Sequence, residues 1–203
     1  GSLMLSLPPK LTAPTGMDSL VHAIEAFLSK KSNPVADLFA LAAIRAIVKW
    51  LPEAYKNGSN LEARQQMAMA ATLAGIAFDQ SSLGLVHALA GPLCGSYHLH
   101  HGLGVATLLP ATLEFDAPAI PADRWVMLRD ALALPQAAKP EVLGEFARNL
   151  LQSLDMPTRL SEVGLTAEQI PAIAESATKM AMIGMNIRPA DLEDCKRVLE
   201  AGL

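Results

Sequence analysis

The chain has 203 residues, 51% of them hydrophobic, enough for one large domain or two small ones around a real core. Its net charge of −4, with lysine and arginine scattered, excludes the basic stripe that a nucleic-acid partner demands. No apolar run approaches the roughly 18 residues of a membrane span, and two cysteines, Cys94 and Cys195, exclude a disulfide framework or a zinc ribbon.

The expectation is therefore a soluble, cytoplasmic protein with no membrane partner. Aromatic residues make up only 4% of the chain, and no sustained β-branched alternation occurs, so the periodic signal is helical and the expected class is all-α. Gly1 and Ser2 read as a cloning scar, and the stretch "LSLPPKLTAPTG" as an extended, proline-broken linker ending at residue 14. Thr15 and Asp18 have the spacing of a capping box, after which Leu20, Ile24 and Phe27 mark one buried helical face.

Pro34 restarts a helix whose nearly continuous apolar surface, up to Pro52, predicts a central position. After the turn "KNGSN", residues 61–91 read as a long helix or two, interrupted around Ser81 to Gly84 and stopped by Gly91 and Pro92. An apolar segment from His101 leads into the proline-rich connection "DAPAIPAD", the best internal boundary. Four shorter amphipathic helices follow in "ADRWVMLRDALAL", "PEVLGEFARNLLQSL", "TAEQIPAIAESATKMA" and "DLEDCKRVLEAGL", packed as a bundle. The predicted core includes Leu20, Ile24, Phe27, Leu41, Ile44, Val48, Met67, Leu73, Ile76 and Leu108.

Four of the five histidines fall in "GLVHALAGPLCGSYHLHHG", residues 84–102. The fifth, His22, stands four residues after Asp18, which puts both side chains on one helical face. If the Gly91–Pro92 break reverses the chain, His87 and His101 arrive from opposite sides of a turn. With Asp18 and His22 they would make a set of one carboxylate and three imidazoles suited to Fe²⁺ or Zn²⁺. The same residues also fit a satisfied core histidine at His87 and a polar loop at His98, His100 and His101, and chemistry alone leaves the two readings open.

Several blocks then stand in one order: "LPPKLTAPTGMDSLVHAIEAFLS", "ARQQMAMAATLAGIAF", "GLVHALAGPL", "HHGLGVATLLP" and "MNIRPADLEDCKRVLEAGL". In this the chain resembles the carboxy-terminal, helical metal-binding domain of the iron-containing (group III) alcohol dehydrogenases, from about Leu5 onward. The resemblance implies a helical domain over residues 15–203, divided into a metal-site half at 15–116 and a carboxy-terminal half at 121–203. It also implies that the chain is a fragment lacking the family's amino-terminal dinucleotide-binding domain.

The family's metal ligands fall on Asp18, His22, His87 and His101, and the implied reaction is NAD- or NADP-dependent interconversion of an alcohol and a carbonyl compound, with the metal as Lewis acid. Phe78 falls at a cofactor-pocket position, and Met182 less securely so. Gly91 replaces a family histidine suited to proton relay, which leaves His98, ahead of His100, as the expected substitute catalytic group, with relay by water or by the cofactor's ribose hydroxyl as the other option. A small-molecule alcohol or carbonyl substrate and a homo-oligomer are implied as partners. The other readings are a maleylacetate reductase, a glycerol dehydrogenase or dehydroquinate synthase relative, and a non-catalytic helical module.

Overall fold

The computed structural model describes all residues 1–203 and contains nine α-helices and no strand, which agrees with the all-α expectation. Helix α1 spans Pro9–Leu28, α2 Pro34–Lys56 and α3 Leu61–Gln80, and these three pack on one another. Helix α4 (Leu85–Tyr97) bends away from α3 by 105°, and α5 (His101–Asp116) returns against it. Helices α6 (Ala122–Ala131), α7 (Leu143–Ser153), α8 (Ile170–Ala177) and α9 (Leu192–Gly202) complete the bundle, joined by short 3₁₀ turns. No single helix is long and apolar enough to cross a membrane.

The starts of α2 and α3 follow their sequences closely. Asn33 accepts hydrogen bonds from the N–H groups of Val35 and Ala36, with Pro34 in the first turn, and Asn60 accepts from Ala63. Asn33 Nδ2 also donates to the carbonyl of Gln80 at 2.9 Å, which ties the start of α2 to the end of α3. Arg64 is almost wholly buried, and its guanidinium donates to Gly58 O, Thr12 Oγ1 and Leu7 O at 2.7–2.9 Å. It fastens α3 to the segment that leads into α1.

Other boundaries differ from the sequence reading. Helix α1 begins at Pro9, so much of the supposed linker is helical, and Thr15 and Asp18 lie mid-helix instead of forming a capping box. The Thr15 hydroxyl donates back to the Leu11 carbonyl at 2.6 Å. Helix α2 runs through Pro52 to Lys56, and α4 runs through Gly91 and Pro92 to Tyr97. The chain reversal therefore falls at residues 98–100, where His98 adopts the left-handed conformation at φ 54°. An internal proline removes one backbone hydrogen bond and costs about 3 kcal/mol. Around Pro92 the buried Leu89, Ala90 and Leu93 offset that loss.

Nor is α2 the central helix. Residues of α5 from Val105 to Leu113 are buried without exception, and α5 touches α1, α4, α7 and α9, whereas α2 exposes Leu38 and Lys49. A helix apolar on every side belongs in the middle of a bundle. Of the ten predicted core residues, Leu20, Ile24, Phe27, Leu41, Ile44, Met67 and Leu108 are buried, and Val48 and Leu73 are partly buried against the core. Ile76 is 38% exposed, because it shares a helical stripe with the exposed Met69 and Thr72 on the outer face of α3.

Candidate metal centre

Three helices meet where the middle of α1 passes the starts of α4 and α5. Asp18 and His22 project from consecutive turns of α1, with Nε2 of His22 3.7 Å from Oδ1 of Asp18. His87 lies in the first turn of α4 and brings Nε2 to 3.5 Å from the same oxygen. His101 opens α5, with Nε2 3.6 Å away. The close approach of α5 depends on Gly102: a Cβ there would lie 2.6 Å from the carbonyl oxygen of Pro14 in α1.

The imidazoles share one space. The rings of His22 and His87 stack with centroids 4.6 Å apart and a 19° interplanar angle, and the His101 ring is 5.6 Å from that of His87. Phe78, in the last turn of α3, closes one side at 4.8 Å from the His22 ring. Asp18, His22 and His87 each offer one ligating atom, all within 4.8 Å of one another. Oδ1 of Asp18 and Nε2 of His87 are both buried and have no hydrogen-bond partner. Buried polar atoms are normally satisfied, so two orphans facing each other need an explanation.

The donor set fits a divalent cation. Ligands at about 2.0–2.1 Å around a tetrahedral ion stand roughly 3.3–3.4 Å apart, close to the 3.5–3.7 Å separations from Asp18 Oδ1. Burial drives the pKa of His22 down to about 4, against the pull of Asp18, so its nitrogen lone pair is free at neutral pH. Burial also disfavours the charged form of His87, but Asp18 and Glu25 outweigh it and raise its pKa to about 9. For Asp18, burial pushes the carboxyl up, and His87, His22 and His101 more than reverse it, leaving its pKa below the ordinary value.

The structure brings together Asp18, His22, His87 and His101, with Phe78 at the edge, and leaves His98 and His100 exposed on the turn between α4 and α5. Met182 is partly buried on the 3₁₀ turn Ala181–Met185. Gly91 faces Met180, whose Cε would stand 3.0 Å from a Cβ at that position. Cys94 Sγ lies 3.7 Å from Nδ1 of His101, and burial followed by the Asp18 charge pushes its thiol up.

Sequence reasoning missed Glu25. Its Oε2 is 2.6 Å from Nδ1 of His87, and its Oε1 accepts the N–H of Val86 at 2.6 Å. The signal was present: Asp18, His22 and Glu25 follow an i, i+4, i+7 stripe, and a glutamate in the otherwise apolar "AIEAFL" is buried by helical periodicity.

An all-α domain that gathers a carboxylate and three imidazoles at a three-helix junction defines a class, the helical domains with a candidate metal centre. Residues 12–203 match the family described as "Fe-containing alcohol dehydrogenase family, C-terminal", and the chain belongs to that family. It is 41% identical over 183 residues to a 1,3-propanediol dehydrogenase of Citrobacter freundii, covering 87% of this chain and 47% of the relative. It is 34% identical over 206 residues to an NAD-dependent methanol dehydrogenase of Bacillus methanolicus, covering 99% and 54%. Among solved structures, that of a 1,3-propanediol oxidoreductase superposes with a TM-score of 0.93 at 35% identity, over 100% of this chain and 54% of the other. The chain thus spans about half the length of the curated relatives it matches.

Proposed function

We propose that Asp18, His22, His87 and His101 bind one divalent cation, Fe²⁺ with Zn²⁺ as the alternative, and that the chain is the metal-binding part of an NAD- or NADP-dependent oxidoreductase acting on a small alcohol or carbonyl compound. The observation that carries this reading is the pair of buried, unpartnered atoms, Asp18 Oδ1 and His87 Nε2, in a cluster of ligating groups. When bound, the cation supplies Lewis acidity toward the substrate oxygen. Asp18 contributes the negative charge that offsets part of the ion's charge, and His22 a neutral nitrogen. His101, about half exposed, stands on the side of the cluster open to solvent and so to a substrate.

Phe78 is assigned to the cofactor side, where its apolar ring, packed 4.8 Å from that of His22, would help exclude water from a nicotinamide. His98 is assigned the proton relay in place of Gly91, with water as the competing route. In the whole enzyme His98→Ala lowers turnover and alters its pH dependence while metal content stays intact; an unchanged rate and profile would remove His98 from the mechanism. The division at residues 117–120 puts all four proposed ligands in the first part. A homo-oligomer in the cytoplasm is the expected setting.

Anaerobic loading with Fe²⁺, and separately with Zn²⁺, followed by metal analysis, tests the site. One ion per chain is expected for the wild type and none for His22→Ala or His87→Ala. Equal uptake by the variants would overturn the assignment. The 203-residue chain alone should show no alcohol oxidation, because hydride transfer needs the nicotinamide held against the substrate. Saturable NAD(P)-dependent turnover by this chain would contradict that.

A further inference from the structure

The start of α4 carries His87, yet its own capping residue is Gly84, which has no side chain to satisfy the free N–H groups of the first turn. Two side chains from distant segments do so instead. Glu25 Oε1 accepts from Val86 N–H at 2.6 Å, and Asn186 Oδ1 accepts from Leu85 N–H at 3.0 Å. A Cβ at position 84 would lie 2.6 Å from Asn186 Oδ1 and 3.2 Å from Glu25 Oε1, so glycine leaves the room both caps occupy. Asn186 is held in the required orientation, because its Nδ2 donates to Asp116 Oδ1 at 2.7 Å and to the Arg188 carbonyl at 2.9 Å.

We propose that Glu25 is the positioning residue of the metal centre: fixed by Val86 N–H on one oxygen, it takes the Nδ1 proton of His87 on the other and thereby selects the tautomer that presents Nε2 toward Asp18 and a cation. This rests on the metal-binding reading above. The geometry is specific. Glu25 Oε2 is 2.6 Å from Nδ1 of His87, while Nε2 of the same ring is the buried atom without a partner, 3.5 Å from Asp18 Oδ1. In the neutral ring that a cation requires, donation from Nδ1 leaves the lone pair on Nε2, and a carboxylate behind a ligating imidazole also raises its basicity. One helix, α1, thus supplies two proposed ligands, Asp18 and His22, and the orienting carboxylate for a third. The Asn186–Asp116 pair fastens the first turn of α4 from the other side.

Glu25→Gln tests this with almost no change in volume. The amide oxygen can still accept from Val86, which leaves the amide –NH₂ facing Nδ1 of His87; the ring then accepts at Nδ1 and carries its proton on Nε2, where the cation would bind. Zn²⁺ titration of the 203-residue chain is expected to show an affinity about 10–100-fold weaker in Glu25→Gln than in wild type. Histidine ¹⁵N spectra of the Zn²⁺-loaded wild type are expected to show a proton on His87 Nδ1 and none on Nε2. Asn186→Ala removes a cap without touching His87, so it should lower the melting temperature with a smaller change in affinity. Equal affinity of Glu25→Gln and wild type, or a loss in the two variants proportional to their loss of stability, would overturn the role of Glu25 and leave the metal site standing, whereas a proton on Nε2 in the loaded wild type would overturn both that role and His87 as a ligand through Nε2. Failure of the wild type to bind Zn²⁺ would overturn the role of Glu25 and the metal site together. Should Glu25→Gln not fold, the wild-type spectrum decides alone.

Discussion

Asp116, at the end of α5, is the buried titratable group whose surroundings most disfavour charge outside the metal centre. Burial raises its pKa to about 7; Glu25 adds to the shift, and the hydrogen bond from Asn186 with the charges of Arg188 and Lys30 oppose it. A carboxyl that is easier to protonate folded than unfolded stabilises the fold fully below its unfolded pKa, near 4, and that contribution is lost as pH rises through about 7. At about 1.4 kcal/mol per unit, the loss across this window is a few kcal/mol. Asp116→Asn should therefore flatten the stability profile between pH 4 and 7 in denaturant unfolding; a wild-type slope retained in the variant would contradict this.

Arg64 offers a second residue-scale test. It satisfies three neutral oxygens from two segments. Arg64→Leu leaves those acceptors facing an apolar side chain, at a cost of roughly 3 kcal/mol, or about 6–12 °C in melting temperature for a domain of this size. A shift under 2 °C would show that the tie is dispensable.

At the scale of elements, the starts of α2 and α3 were legible from Pro34 and from the turn before Leu61, but that of α1 at Pro9 was not, because its prolines read as a linker. Helix ends were misread, because Pro52 and Pro92 read as stops, whereas the packing of α2 and α4 on their neighbours carries both helices through. The central place of α5 was hidden for a related reason: an all-round apolar helix has no periodic stripe to weigh against α2.

Residue type and spacing made the four proposed ligands candidates and the family resemblance selected them, although the turn expected at Gly91–Pro92 lies at residues 98–100. Glu25 was missed because a single carboxylate in an apolar helix carries no motif; only its burial against His87 shows its use. Two substitutions test the junction. Gly102→Ala pushes a methyl group into the Pro14 carbonyl and should cost about 1–3 kcal/mol. His98→Gly should be neutral or stabilising by up to about 1 kcal/mol, since His98 holds a left-handed conformation that glycine adopts without strain. Thermal unfolding of both variants decides, and a stabilised Gly102→Ala would contradict the close approach of α5 to α1.

Across the whole molecule, α5 joins the three-helix assembly of α1–α3 to the carboxy-terminal helices, and its first residue belongs to the candidate metal centre. A cation drawing on α1, α4 and α5 binds only the folded arrangement, so Zn²⁺ at 100 times its Kd should add about 2.7 kcal/mol of stability. The most direct test of the central claim is Zn K-edge X-ray absorption on the Zn²⁺-loaded chain, compared with His101→Ala. The account predicts a nearest shell of nitrogen and oxygen at about 2.0–2.2 Å, with the multiple scattering of three imidazoles in the wild type and two in the variant. A shell with one imidazole or none, or with sulfur from Cys94 at about 2.3 Å, would contradict it.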